Sequence, residues 1–592
     1  MSKLIVRLGT LACLGIVTIA AAANDDAARR FHALSSQEWT WRQAQFAGAD
    51  DEDTHAQPAD HLPRVDAATQ AARERYWTDV MKRLDAIPVD ALHGDERVSY
   101  LVYRNQVETL LADQRFRTWQ MPFNSDTSFW GNLGFTARRP LHDAADYRRY
   151  IGQLCDIPRY FDEQIANMRL GLARGFSVPR VTLAGRDQAI AEVAHARDRD
   201  SVFYTPFRQM PVNIPEDEQA RLRAEGIAAI HDAVAPAHAR LLGFMRNVYM
   251  KQSRNSLAAE AMPDGKAFYQ SQIRKYTTLD MSPDAIHALG LREVARLRAE
   301  MGQTIRETGF NGSFAEFLHY LRTDPKFYPK SADELLKQAA WIANRVNGKI
   351  GEYVGRLPRQ RFVIEPVPAE LAPYYTGGRG GAGYYMVNTY DLRSRPLYAL
   401  TALTLHESSP GHGLQMPLAT EHEGLPPFRR ATYLSAYGEG WALYSERLGV
   451  EMGLYDTPYD RFGYLGYQMW RACRLVVDTG IHHLGWIREQ ALVYMRENTA
   501  LGEHEIETEV DRYIAWPGQA LAYYLGEMAI VDARARAEKA LGERFDLRAF
   551  HDTVLALGSV PLPVLQQQVD RFIASGGKSP YADEKPCDCK SP

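Results

Sequence analysis

The segment Leu405-His406-Glu407-Ser408-Ser409-Pro410-Gly411-His412-Gly413-Leu414-Gln415 sets two histidines and a carboxylate within one short run. Neutral imidazole suits zinc, and a neighbouring glutamate suits the work of a general base. The spacing departs from H-E-x-x-H, in which both histidines share one helix face at i and i+4. Here the second histidine follows the first by six positions, with Pro410-Gly411 between them. At about 100° per residue, six residues turn an unbroken helix through roughly 600°, which leaves the two side chains about 120° apart. Either the helix is distorted between them, or one histidine is not a ligand. Proline removes a backbone donor and clashes with the preceding turn, and glycine tolerates almost any backbone angle. Pro410-Gly411 is therefore where distortion is expected.

A catalytic zinc normally takes three protein ligands and keeps one position open. The next helical stretch, Tyr437-Gly438-Glu439-Gly440-Trp441-Ala442-Leu443-Tyr444-Ser445-Glu446, supplies a third. Glu439 and Glu446 are seven residues apart, about 700° of helix, and so share a face. Glu439 is assigned as the ligand, and its flanking glycines allow another backbone to come close. Glu446 is assigned to orient a ligating histidine, with Asp478 in the same supporting role. The plain alternative is two solvated glutamates on a surface helix. His422 competes as a ligand but lies in a loop-like Glu-His-Glu-Gly context.

Glu407 directly follows the first histidine, the place for a base that takes a proton from metal-activated water and later delivers it to a leaving amine. An oxyanion also needs donors. Downstream candidates are Arg471, Arg474, His482, His483, Arg512, Tyr513, Gln519, Tyr523 and Tyr524. Arginine there could clamp a substrate carboxylate, although each of these residues taken alone is more often structural. Tyr384 and Gln519 join Arg471, Arg474 and Arg512 as expected substrate contacts. A serine hydrolase finds no support: there is no G-x-S-x-G elbow and no alternating strand–helix order.

The elements that must position these groups are mostly helical. Apolar residues recur at helical spacing from Val65 to Asp113 and again over 145–174, 181–197, 216–252, 264–275, 282–308, 313–322 and 331–355. Ser282-Pro283-Asp284 is a helix start with proline in the first turn. After Arg395 the pattern predicts helices over 397–417, 429–452, 458–483, 486–499, 503–514, 517–541, 545–556 and 561–574. Between 359 and 388 the texture changes. Phe362-Val363-Ile364-Glu365 and Tyr384-Tyr385-Met386-Val387-Asn388 are strand-like runs, separated by the glycine-rich Thr376-Gly377-Gly378-Arg379-Gly380-Gly381-Ala382-Gly383. No Gly-Lys-Ser/Thr follows, so a phosphate loop is disfavoured. A flexible hairpin at the rim of a cleft, with an edge open to extended peptide, is the alternative.

Composition is that of an ordinary globular chain: 592 residues, 45% hydrophobic and 24% charged. A formal charge of -4, from 69 basic and 73 acidic residues, offers no basic excess for nucleic acid. Lys3 and Arg7, the apolar run Leu8 to Ala20 and Ala21-Ala22-Ala23 read as a secretory signal cleaved near Ala23. Cys13 lies too early for lipidation, and the apolar run is short for a membrane span. The expected organisation is a signal peptide at 1–23, a polar and aromatic segment at 24–63, one helical domain at 64–575 with the motif in 397–452, and a disordered polar tail at 576–592. Within 24–63, Ala47 to Leu62 reads as a loop. Cys587 and Cys589 in the tail have no assigned role.

The run His406-Glu407-x-x-Pro410-Gly411-His412 with Gln415 resembles the signature of the bacterial family called domain of unknown function 885. The resemblance extends over Thr277-Thr278 to Met301, Leu321 to Phe327, Asn388-Thr389, Glu439 to Tyr444, Arg471 to His482, Arg512 to Gly526 and Phe550 to Leu562. That family is similar in turn to helical zinc peptidases of the thimet oligopeptidase and neurolysin type. The resemblance implies a mostly α, two-lobed fold with a deep channel and one small sheet beside the site. It implies His406, His412 and Glu439 as Zn(2+) ligands, Glu407 as base, and Tyr523 or His482 as oxyanion donors. The expectation is a periplasmic or secreted zinc metallopeptidase acting on short peptides, with no nucleic-acid partner and no stable membrane insertion. Alternatives are a zinc amidohydrolase acting on a cell-wall peptide or acylated amino acid, and a catalytically silent peptide-binding protein. Imidazole and carboxylate also accept manganese, cobalt or iron.

Overall fold

The computed structural model describes residues 2–48, 57–125, 127–369 and 372–582, with side chains from Asn24 onward except that of Tyr374. Residues 49–56 of the loop expected over 47–62, the side chains of the signal-like segment, and Cys587 and Cys589 lie outside the described residues. The chain divides into two compact units, 1–255 and 256–592. The described residues are mostly helical, with one three-stranded sheet. Among them, no helix is long and apolar enough to cross a membrane.

In the first unit, the helix Ser2–Gln45 buries Phe31, Leu34 and Trp39. Its fully buried Glu38 accepts from Arg42, Trp77 Nε1 and Tyr103 Oη, so this buried carboxylate is hydrogen-bonded at both oxygens. The helical pattern over 65–113 forms two helices, Ala67–Asp85 and Gly94–Phe116, parted at Pro88, which cannot donate to a helix interior. The stretch 216–252 is helical throughout, with π turns at Ile230–Val234 and Met245–Tyr249.

The second unit holds the motif. Its helix Pro283–Glu307 is capped by Ser282, whose hydroxyl accepts from Ala285 N, and packs along the helix Pro458–His482. The sheet has the order β1 (Val363–Pro366), β3 (Tyr384–Val387), β2 (Gly378–Gly381); β1 runs parallel to β3 and β2 antiparallel. The glycine-rich stretch thus includes an edge strand, β2, hairpinned to β3, and is not merely a flexible connection. Gly380 has no room for a Cβ, which would sit 1.8 Å from the Glu407 carbonyl oxygen. The sheet buries Tyr385 and Val387 with Leu335, Ala339, Leu400 and Leu403, which fixes the hairpin against the helix that carries His406.

Candidate metal centre

The helix predicted over 397–417 is interrupted at the proline. Leu397–Glu407 ends with Ser408, and a new helix, His412–Thr420, begins after Gly411. The chain folds back tightly between them. Gly411 N–H donates to Leu405 O at 3.0 Å and Gly413 N–H to Ser408 O at 2.9 Å, supplying two of the carbonyls that a helix end leaves open. A Cβ at Gly411 would lie 2.0 Å from the His406 carbonyl oxygen, so this return requires glycine. Trp441, from the helix Ser435–Glu451, holds the turn by donating its indole N–H to Pro410 O at 2.7 Å.

The interruption brings both imidazoles to one carboxylate. His406 Nε2 and His412 Nε2 each lie 3.4 Å from Glu439 Oε2, and the three ligand atoms are all within 4.8 Å of one another. A tetrahedral zinc with bonds of about 2.0–2.2 Å spaces its ligand atoms about 3.3–3.5 Å apart. Glu439 Oε2 is buried and makes no protein hydrogen bond of good geometry, as does His412 Nδ1. Burial opposes a charge on His406, but the Glu439 carboxylate beside it, the hydrogen bond to Glu446 and the charge of Glu407 push it up to about 9. Glu439 is held well below the usual carboxylate range, against its burial, by the two imidazoles. A divalent cation among these three atoms would replace that proton and balance the same carboxylates. The donor set therefore fits zinc.

Glu446 lies one helical face-repeat beyond Glu439. Its Oε1 is 2.8 Å from His406 Nδ1, and the side chain is fully buried. Accepting at Nδ1–H fixes the tautomer that leaves Nε2 free for a ligand role. Glu407 accepts from Gly380 N–H at 2.6 Å through Oε2. Its charge acts on both His406 and Tyr433. The edge strand β2 thus spends the Gly380 donor on the expected base.

Tyr433 has no assigned role in the sequence reading. Its hydroxyl donates to Glu439 Oε1 at 3.3 Å, and burial beside Glu439 raises it well above the ordinary tyrosine range. The signal for it was Gly438, whose Cβ would meet the Tyr433 ring at 2.4 Å. Gly440 does what its position suggested: its missing Cβ lets the backbone of Gly526 approach, in the helix Ala522–Leu541. That approach carries Tyr523 to the centre. Its ring lies nearly parallel to His406, 6.4 Å between centroids at 18°, and its oxygen accepts from Arg512 Nη2 at 3.3 Å.

Two expected residues lie elsewhere. The ring of His482 accepts from Ala259 N–H at Nδ1, 3.1 Å, and its Nε2 lies 2.8 Å from Tyr513 O. Both nitrogens are committed to main chain, so no hydrogen remains for an oxyanion. Asp478 does not orient a ligand. It accepts from Tyr269 Oη at 2.6 Å and from Gly518 N–H, tying the 458–482 helix to the turn at Pro517-Gly518. Burial pushes it up to about 7, although both bonds act the other way.

The arginines separate by partner. Arg474 donates to Tyr513 Oη at 2.9 Å and to Glu509 at 2.8 Å. Arg512 donates to Gln519 Oε1 at 2.9 Å as well as to Tyr523, so Gln519 serves the arginine. Arg471 Nη2 lies 3.8 Å from Glu446 Oε1, and its guanidinium rests against the Trp470 and Tyr467 rings. Tyr384 packs its ring over Gly381 at the start of β3. Tyr524 donates to Glu293 and is structural.

No curated protein matches this chain. A solved structure described as a candidate lipoprotein from Colwellia psychrerythraea is similar over 93% of this chain and 100% of its own, with 26% identity and a TM-score of 0.86. Another, described as a candidate lipoprotein of unknown function from Shewanella oneidensis, shares the fold at 20% identity and a TM-score of 0.63, over 91% of this chain and 99% of its own. The family of bacterial proteins of unknown function, DUF885, matches residues 42–569, and the chain belongs to that family.

Proposed function

We propose that this protein is a zinc-dependent peptidase that hydrolyses short peptides outside the cytoplasm. The observation that carries the reading is the position of Glu439 Oε2, buried and 3.4 Å from both His406 Nε2 and His412 Nε2. Zinc held by these three atoms would supply Lewis acidity and bring a water's pKa toward neutrality.

The remaining roles belong to the chain. Gly380 N–H fixes one oxygen of Glu407, and the other receives the proton of the attacking water and passes it to the leaving amine. Arg512 donates to the oxygen of Tyr523, which leaves the phenol proton free for the oxyanion that develops on the scissile carbonyl. Glu446 holds the His406 ring in place. Export is supported by the basic, apolar and small-residue order of the N-terminus and by the candidate-lipoprotein descriptions of the similar structures.

Metal analysis of the purified protein, followed by peptide digestion, tests the reading. One zinc per chain is expected, lost together with hydrolysis in His406→Ala. Glu407→Gln is expected to keep the metal and lose turnover. Zinc-free protein, or hydrolysis unchanged in His406→Ala, overturns it.

A further inference from the structure

Three arginines gather beside the candidate centre, and they differ in how many of their donors are used. Arg474 and Arg512 are bound to Glu509, Tyr513, Gln519 and Tyr523. Arg471 is as deeply placed, 4% exposed, yet its Nε and Nη1 have no hydrogen-bond partner. Its closest carboxylate oxygen, on Glu446, is 3.8 Å from Nη2, beyond hydrogen-bond length. The guanidinium carbon lies 4.2 Å from the Trp470 ring centre and 4.6 Å from that of Tyr467, so it rests against aromatic rings while Nε and Nη1 stay buried with their hydrogen bonds unmade. The same carbon is 6.0 Å from the centre of Tyr523, the ring that stacks on His406.

A buried cation with two unmade hydrogen bonds is costly to keep and calls for an acceptor. Glu446 does not reach it: Oε1 is taken by His406 Nδ1, and at 3.8 Å from Nη2 it is too far from Arg471 for a hydrogen bond. We infer that Arg471 receives the free C-terminal carboxylate of the substrate peptide, so that cleavage takes place next to the C-terminus. The inference rests on the peptidase reading for the cleavage and on Arg471 alone for the carboxylate. It narrows the substrate class to peptides with an unblocked C-terminus.

The test is equilibrium binding to the non-cleaving Glu407→Gln protein by calorimetry. Three probes are compared: N-acetyl-trialanine with a free C-terminus, its C-terminal amide, and N-acetyl-Ala-Ala-Glu-amide, whose only carboxylate is on a side chain. Charge-assisted hydrogen bonds are worth roughly 10- to 100-fold in affinity. The free acid is expected to bind tighter than both amides by that factor, Arg471→Gln to erase the difference, and Arg471→Lys to retain part of it. Equal affinity for acid and amide overturns the inference, whether or not Arg471→Gln folds. So does a preference that survives Arg471→Gln, or a side-chain carboxylate that binds as tightly as the terminal one. If Arg471 served only to neutralise Glu446, the three probes would bind alike. The zinc content of the same preparation reports separately on the peptidase reading, since a carboxylate preference without metal supports Arg471 and sinks the metalloenzyme.

Discussion

His406 Nδ1 and Glu446 Oε1 are 2.8 Å apart, joined between two helices at a place closed to solvent. The bond sets both the tautomer and the direction of the ring. Replacing the carboxylate by an amide of the same shape, Glu446→Gln, keeps the packing and weakens the acceptor. Zinc affinity is expected to fall roughly 10- to 100-fold, read by competition with a chelator. Unchanged affinity would remove Glu446 from any part in holding the ligand.

Tyr523 is placed to give its phenol proton while Arg512 occupies its oxygen. Tyr523→Phe is expected to lower kcat by about 100- to 1,000-fold, with zinc content and KM little changed. A large rise in KM with kcat intact would make Tyr523 a substrate contact only.

Gly411 tests the interruption between the histidines. Its Cβ would fall 2.0 Å from His406 O, a main-chain atom that cannot step aside. Gly411→Ala is expected to cost about 1–3 kcal/mol or more in urea unfolding and to lose zinc. Gly466 is the control, a glycine inside the 458–482 helix with nothing within 4 Å of its Cβ position. Gly466→Ala should gain about 0.5–1 kcal/mol. Equal effects at the two positions would mean that the turn tolerates a side chain.

Asp478 gives a pH signature independent of the metal. Burial raises its folded pKa from the ordinary 3.8 to about 7. Between these values the folded protein holds a proton that the unfolded chain has released. Its contribution is therefore greatest at acid pH, declines as pH rises from about 4 to about 7, and is flat above. Urea unfolding at pH 5 and pH 8 should show a loss of stability in the wild type that shrinks in Asp478→Asn. Identical losses would mean that Asp478 titrates normally.

Much of the candidate site could be read from spacing. A spacing of seven positions from Glu439 to Glu446 puts both on one face, and proline between the histidines tells where the helix has to stop. What spacing could not show was tertiary. His482 sits in a run beside Arg471 and Arg474, yet its ring is turned to the main chain at Ala259 and Tyr513, a fact set by helices distant in sequence. Tyr433 precedes its helix by a short step and carries no motif; only its packing on Gly438 places it at Glu439. The glycine-rich stretch reads as a hairpin, but which of its residues form the strand is hidden because glycine disfavours strands. It forms one because Gly380 must approach the Glu407 backbone, where a side chain cannot fit.

The most direct measurement is an anomalous difference map recorded on both sides of the zinc absorption edge from crystals of the purified protein. One peak is expected among His406 Nε2, His412 Nε2 and Glu439 Oε2, vanishing below the edge. Density with no anomalous signal at that place, or a zinc peak bound elsewhere with these three side chains unliganded, would contradict it.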